Sequence, residues 1–187
     1  MTATASAIEY AREGRQNLPG TMSYEQFLAW TDDKTHAEWV DGEVQIIAPV
    51  AEGHQDTAGF LAALLRLRVE QRNAGRVLTA PFQMRLSTIA RGREPDVLFV
   101  AQDRLDRITR PYLDGPADLA IEIVSPESAL RDRGEKYGEY ETAGVREYWI
   151  IDPDGLRADF FILADGRYER IPVAADGIVR SSVFPDF

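Results

Sequence analysis

Apolar and polar residues change period several times along this chain, and each change marks an element. Between residues 53 and 74, Ala58, Leu61, Ala62, Leu65 and Val69 recur at helical spacing and form one continuous stripe. Gly75 reads as the stop just past that helix. Upstream, Ser23 with Gln26 three residues on is a capping-box pair, opening a short helix through Phe27, Leu28 and Trp30. Residues 37–48, AEWVDGEVQIIA, place apolar residues on both sides of Asp41-Gly42, a tight-turn dipeptide, and so predict a hairpin that Pro49 ends.

Farther along, the period shortens. Residues 76–86, 95–100 and 118–124 read as strands, and the last, DLAIEIV, is apolar except for Asp118 and Glu122, as suits a strand covered on both faces. Residues 103–116, with Pro111, Gly115 and Pro116, read as a connecting loop. A second helix is expected from Ser128 or Ala129 to Ala143, capped by Gly144, and then a buried strand, REYWIID. Residues 157–163 and 166–173 read as a hairpin, and residues 178–187 as an edge strand. The core order is helix, three strands, helix, strand. The first strands can form an antiparallel meander, and the second helix is long enough for a right-handed crossover to a parallel partner. The fold class is therefore α/β (α+β), a mixed central sheet flanked by helices in αβββαβ order, with an amino-terminal helix-hairpin and a carboxy-terminal hairpin.

Composition narrows this further. A chain of 187 residues suits one domain, expected over residues 21–187, with residues 1–20 as a polar extension that lacks the apolar core of a secretory signal. No apolar run approaches the roughly 20 residues needed to cross a bilayer. The absence of cysteine excludes disulfide and thiolate chemistry, and a cytoplasmic location is expected. The net charge of -10 counts against a nucleic-acid binder, which usually shows a basic footprint. Arginines do cluster, at Arg66, Arg68, Arg72 and Arg76, then at Arg85, Arg91 and Arg93, then at Arg104, Arg107 and Arg110. They read either as solvated helix and loop charges or as a local basic surface.

Candidate chemistry concentrates in two strands and a helix. Asp96 follows Pro95 at the start of an apolar strand, and Glu122 interrupts Ile121 and Ile123 in a run that is otherwise dry. A buried carboxylate is paired, protonated or bound to metal. If the strands are neighbours, the two carboxylates can share a Mg²⁺ or Mn²⁺ ion, for which oxygen ligands are suited. The alternative is a salt bridge from each to an arginine. Asp132, Lys136 and Tyr140, spaced four apart, share one helix face. Lys136 is one of only two lysines; it reads as a charge stabiliser or as half of an exposed pair with Asp132. His54 begins the inward stripe of the long helix, and Glu38 and Glu43 flank the hairpin turn, where carboxylates are usually solvated. No phosphate-binding glycine loop and no nucleophile elbow occur, and two histidines cannot make a zinc cluster unaided.

The blocks EPDVLFV, AIEIVSPES and RDRGEKYGEYETAGVREYWIIDP resemble the Uma family of restriction endonucleases, within the PD-(D/E)XK nuclease superfamily. The resemblance covers roughly residues 23–152 and implies the restriction-endonuclease-like core. Carried over, it makes Asp96 and Glu122 the metal ligands, with the main-chain carbonyl of Ile123 as a third. The superfamily's lysine, two residues after the glutamate, is replaced here by Val124, and Lys136 stands where the Uma family places it. Glu38 and His54 match a glutamate and a histidine common in that family. The resemblance implies Mg²⁺-dependent phosphodiester hydrolysis of DNA, by a homodimer and with no membrane partner. A non-catalytic binding or regulatory protein of the same fold, and a hydrolase of a small phosphorylated molecule, are the alternatives.

Overall fold

The computed structural model describes residues 20–32, 35–126 and 128–184; the expected amino-terminal extension lies outside them, save Gly20. Helix α1 (Tyr24–Trp30) starts as its cap dictates: Gln26 N donates to Ser23 Oγ at 3.2 Å, and Ser23 N to Gln26 Oε1 at 2.8 Å. Strands β1 (Ala37–Val40) and β2 (Glu43–Ile46) form the expected hairpin. Its turn residues Asp41 and Gly42 both take positive φ, 51° and 90°, which matches the twist of the strands.

Helix α2 (Glu52–Arg72) buries Ala62, Leu65 and Val69 on the expected stripe. Its cap is Asn73, in the left-handed conformation at φ 49°, rather than Gly75. Asparagine tolerates that region because its short side chain bonds locally. Gly75 instead opens strand β3 (Gly75–Thr79) at φ 149°, where an added Cβ would lie 2.1 Å from the Val100 carbonyl oxygen.

The expected strand 76–86 is two strands in two sheets. Pro81 has no amide to give a ladder, and the chain leaves β3 there to enter β4 (Gln83–Leu86). Next come β5 (Arg91–Arg93) and β6 (Val97–Ala101). The expected loop 103–116 holds a 3₁₀ turn, Gln102–Arg107, and a short strand, β7 (Tyr112–Asp114), parallel to β4. After β8 (Leu119–Ile123), a π-helical segment, Arg131–Lys136, runs straight into α3 (Tyr137–Ala143), which Gly144 ends at φ 89°. Strand β9 (Glu147–Asp152) pairs parallel to β8, as the crossover requires. The hairpin β10 (Arg157–Ala164) and β11 (Arg167–Arg170) follows.

Two mixed sheets result, β2-β1-β5-β4-β7 and β11-β10-β9-β8-β6-β3, where one was expected. In the larger, β3, β6 and β8 form the antiparallel meander. One of its faces packs Val97, Ile121 and Trp149 against Leu65 and Val69 of α2. The other packs Ala120, Tyr148 and Ile150 against Tyr140 of α3 and Met84 and Leu86 of the smaller sheet. Each fully buried side chain of this size is worth about 1.5–3 kcal/mol, so these two layers hold the sheet ends that carry the acidic residues. Residues 178–184 form no strand. Their backbone and hydroxyls are spent on the buried Glu147 carboxylate, which accepts from Ser181 Oγ and Ser182 Oγ at 2.7 Å each and from Val183 N at 3.1 Å. Among the described residues no helix is long and apolar enough to cross a membrane.

Candidate active site

Strand register decides what the acidic residues meet. Val97 of β6 lies opposite Ile121 of β8, so Asp96, just before β6, comes to the end of β8 that carries Glu122. Asp96 turns one oxygen, Oδ2, to the end of β8 and accepts from Ile123 N at 2.7 Å. The same oxygen lies 3.2 Å from His54 Nε2 in the first turns of α2. His54 is buried, with Asp96 as its partner. An extended residue presents its N–H and C=O along the same edge, so the Ile123 carbonyl shares the edge that Asp96 occupies.

The second group is built around the ammonium of Lys136. Its Nζ lies 2.9 Å from Glu122 Oε1, 3.0 Å from Glu38 Oε1 and 3.7 Å from Asp132 Oδ1. Glu122 Oε1 also accepts from the Tyr140 hydroxyl at 2.8 Å. The helix face Asp132, Lys136, Tyr140 therefore points at β8, and the reading of Lys136 as half of an exposed pair fails. Both Asp132 and Lys136 are only 2% exposed. The alternative of an arginine clamp on Glu122 fails as well, since its partners are an amine and a phenol. Glu38 alone of the two hairpin carboxylates reaches the site; Glu43 is exposed.

Burial and crowding of charge set the proton inventory. Glu122 is pushed up to about 8 by burial, with Asp132, Asp96 and Glu38 adding to the rise and Lys136 only partly offsetting it. Glu38 is as buried, yet Lys136, Arg93 and Arg131 outweigh that burial and hold it at about 2. Burial opposes the charge of Lys136, but Glu122, Glu38 and Asp132 raise it above the ordinary lysine range. Lys136 and Arg93 thus favour the carboxylate form of Glu38, while burial favours the protonated form of Glu122. The hydrogen bond to Asp96 raises His54 against its own desolvation, and the main chain at Ile123 adds to the rise.

Arg93 escaped the sequence reading. Grouped there with solvated or surface arginines, it is fully buried and donates to Glu38 Oε2 at 2.7 Å and to Glu139 Oε2 at 2.7 Å. Arg85, Arg91 and Arg104 likewise pair with Glu25, Glu139 and Asp118. The available signal was its place in Arg93-Glu94-Pro95-Asp96, next to the acidic motif. Glu94 was passed over too; burial and Glu38 push it up to about 7 against a hydrogen bond from Gln83.

Among the described residues no three His, Asp or Glu side chains form a group able to hold a metal ion. A set of two carboxylates and a carbonyl oxygen does not need three. Asp96, Glu122 and the Ile123 carbonyl offer hard oxygen donors, and Mg²⁺ commonly takes one or two carboxylates and keeps several waters. The buried Asp132 Oδ1, which makes no hydrogen bond, and the raised Glu122 both mark a surplus of negative charge. The donor chemistry fits a divalent cation.

Comparison with known proteins identifies the fold and the family. A crystal structure described as "a putative nuclease belonging to DUF820", from Anabaena variabilis ATCC 29413, superposes with a TM-score of 0.72 over 88% of this chain and 91% of that one. At 16% identity the likeness is one of fold. No curated protein matches the chain. The family model Uma2, "Putative restriction endonuclease", matches residues 24–187. The chain belongs to the Uma2 family.

Proposed function

We propose that this protein is a metal-dependent phosphodiesterase that cuts DNA, with Asp96, Glu122 and Lys136 at its reaction centre. The observation that carries this is the buried Lys136 ammonium, fixed 2.9 Å from Glu122, while a second acidic residue, Asp96, accepts from the amide of the next residue, Ile123, at 2.7 Å. The family's description as a restriction endonuclease supports DNA as the substrate.

A Mg²⁺ or Mn²⁺ ion held by Asp96, Glu122 and the Ile123 carbonyl would polarise a phosphate oxygen and acidify a bound water. The chain's own residues do the rest. Lys136 orients the nucleophile or stabilises charge gathering on the phosphorus oxygens, as a pre-placed cation in a dry site does at low reorganisation cost. Glu38, itself held ionised by Arg93, keeps that ammonium charged and aimed. His54 pins Asp96 through Oδ2 and leaves its other oxygen for a ligand. Glu122 would hold such a cation as the carboxylate, its proton passing to solvent. Cutting both strands of a duplex suits a two-fold homodimer, and the outer face of α2 exposes Phe60 at 66% and Leu67 at 57%, an apolar surface for a second copy.

Supercoiled plasmid incubated with the protein and Mn²⁺ tests the reading. Nicking is expected from the wild type and its loss from Lys136→Ala; nicking undiminished in that variant overturns the mechanism. Titration of Mn²⁺ into the wild type and Asp96→Ala should show binding only to the former. Binding without nicking would identify a non-catalytic relative of the nucleases.

A further inference from the structure

Three arginines from different elements converge on one carboxylate. Asp159 of β10 is 1% exposed. Its Oδ2 lies 2.5 Å from Arg133 Nη1 and 2.9 Å from Arg157 Nε, and its Oδ1 is paired with Arg170. Arg133 Nη2 makes no hydrogen bond and lies 3.9 Å from Asp152 Oδ2. One guanidinium suffices to neutralise Asp159, so the cluster carries surplus positive charge in a chain whose net charge is -10. Arg157 and Arg170 keep 58% and 60% of their side chains exposed. Together with Tyr137, Ile150 and Phe161 they line a hollow of about 290 Å³.

Position links this hollow to the reaction centre. Glu122 is the register partner of Ile150, and Ile150 that of Asp159, so the three form one row on the same face of the sheet. Two strand spacings separate its ends, about 10 Å. Adjacent phosphates of one B-form strand lie about 6–7 Å apart, farther than their 3.4 Å axial advance, so that span is about one to two nucleotides. Planar guanidiniums with spare donors match the oxygens of a phosphate.

We propose that Arg133, Arg157 and Arg170 form a phosphate-binding subsite that grips the DNA backbone about one to two nucleotides from the scissile bond. The assignment of the phosphate to DNA rests on the nuclease reading above; the same chemistry would hold a free phosphorylated small molecule. Asp159 keeps the three guanidiniums in place while leaving them net positive.

Anisotropy of a labelled duplex oligonucleotide, without divalent metal and over a range of salt, reads the subsite directly. Arg157→Ala/Arg170→Ala should weaken binding roughly tenfold and lower the slope of log affinity against log salt by about 1. Arg104→Ala/Arg146→Ala, at the Asp118 end of β8, should bind as the wild type does. Asp159→Asn, which removes negative charge at constant size, should tighten binding. Wild-type affinity and slope in the Arg157/Arg170 variant would overturn the subsite and leave the nuclease reading standing. Calorimetry with pyrophosphate is the second arm. If the wild type binds pyrophosphate but no oligonucleotide, and the double variant binds neither, the anion site stands while its assignment to DNA and the nuclease reading both fall. A wild type that binds neither ligand overturns the proposal.

Discussion

Lys136 is the residue on which most of the site's energetics turn, because it is the cation shared by Glu38 and Glu122. Removing one partner of a buried ion pair strands the other charge and costs about 3–5 kcal/mol. Lys136→Ala should lose stability of that order in urea unfolding and, if the proposed role holds, about 10²–10³-fold in nicking rate, the loss typical of a transition-state donor. The two glutamates make opposite pH predictions. Glu122 rises from 4.5 to about 8 on folding, so the folded state holds a proton that the unfolded chain releases. Its contribution is present below 4.5 and is lost as pH rises through about 8. Glu38 falls from 4.5 to about 2, so its contribution is present above 4.5 and lost as pH falls toward 2. Metal-free unfolding at both ends of the window from 4.5 to 8 should show stability declining with pH. Glu122→Gln should shrink that decline, and the part due to Glu94 should remain. An unchanged decline in the variant would refute the proton inventory. Of this centre, Asp96, Glu122 and Lys136 were legible one by one as misplaced charges. Their partnership was not, since Lys136 and Glu38 are far apart in the chain and meet only through β1, β5 and β8.

At the scale of elements, local patterns were read well wherever the signal itself was local. The Ser23 cap, the Asp41-Gly42 turn and the α2 stripe are decided within a few residues, and each formed as its pattern required. Leu65→Ala on the buried side of α2 should cost about 2–5 kcal/mol in thermal or urea unfolding. Leu67→Ala on the exposed side should leave monomer stability nearly unchanged. Equal losses would contradict the placement of the stripe. The two glycines at either end of α2 make a second contrast. Gly53→Ala has open space around it and should stabilise by about 0.4–1 kcal/mol. Gly75→Ala places a Cβ against the Val100 carbonyl at positive φ and should destabilise by at least about 1–3 kcal/mol. The misplaced stop at Gly75 and the undivided strand 76–86 share a cause. Glycine and proline both mark a break in pattern, but whether the break is a cap, a close backbone approach or a change of sheet depends on neighbours distant in sequence.

The whole molecule reconciles an acidic chain with an anionic substrate by sorting its charges. Several arginines neutralise buried carboxylates, and a surplus remains where three meet at Asp159 on the sheet face that carries Glu122. If α2 carries a dimer interface, Phe60→Glu/Leu67→Glu should halve the mass found by light scattering while leaving the far-ultraviolet spectrum intact; a wild-type monomer at all concentrations would refute the dimer. The sequence by itself determined the α/β class, the order of the core elements, the parallel crossover from β8 to β9 and the identity of the charged residues that sit where apolar ones belong. These follow from periodicity, turn chemistry and the cost of burying charge, all of which act over short stretches. Only the tertiary structure decided that there are two sheets, that Arg93 is buried, that Glu38 joins Lys136, and that burial raises Glu122 while Lys136 and Arg93 hold Glu38 down. The reason is physical: ion pairing and proton affinity depend on distances across strands, and a register shift of one residue turns a side chain to the opposite face without altering any local pattern.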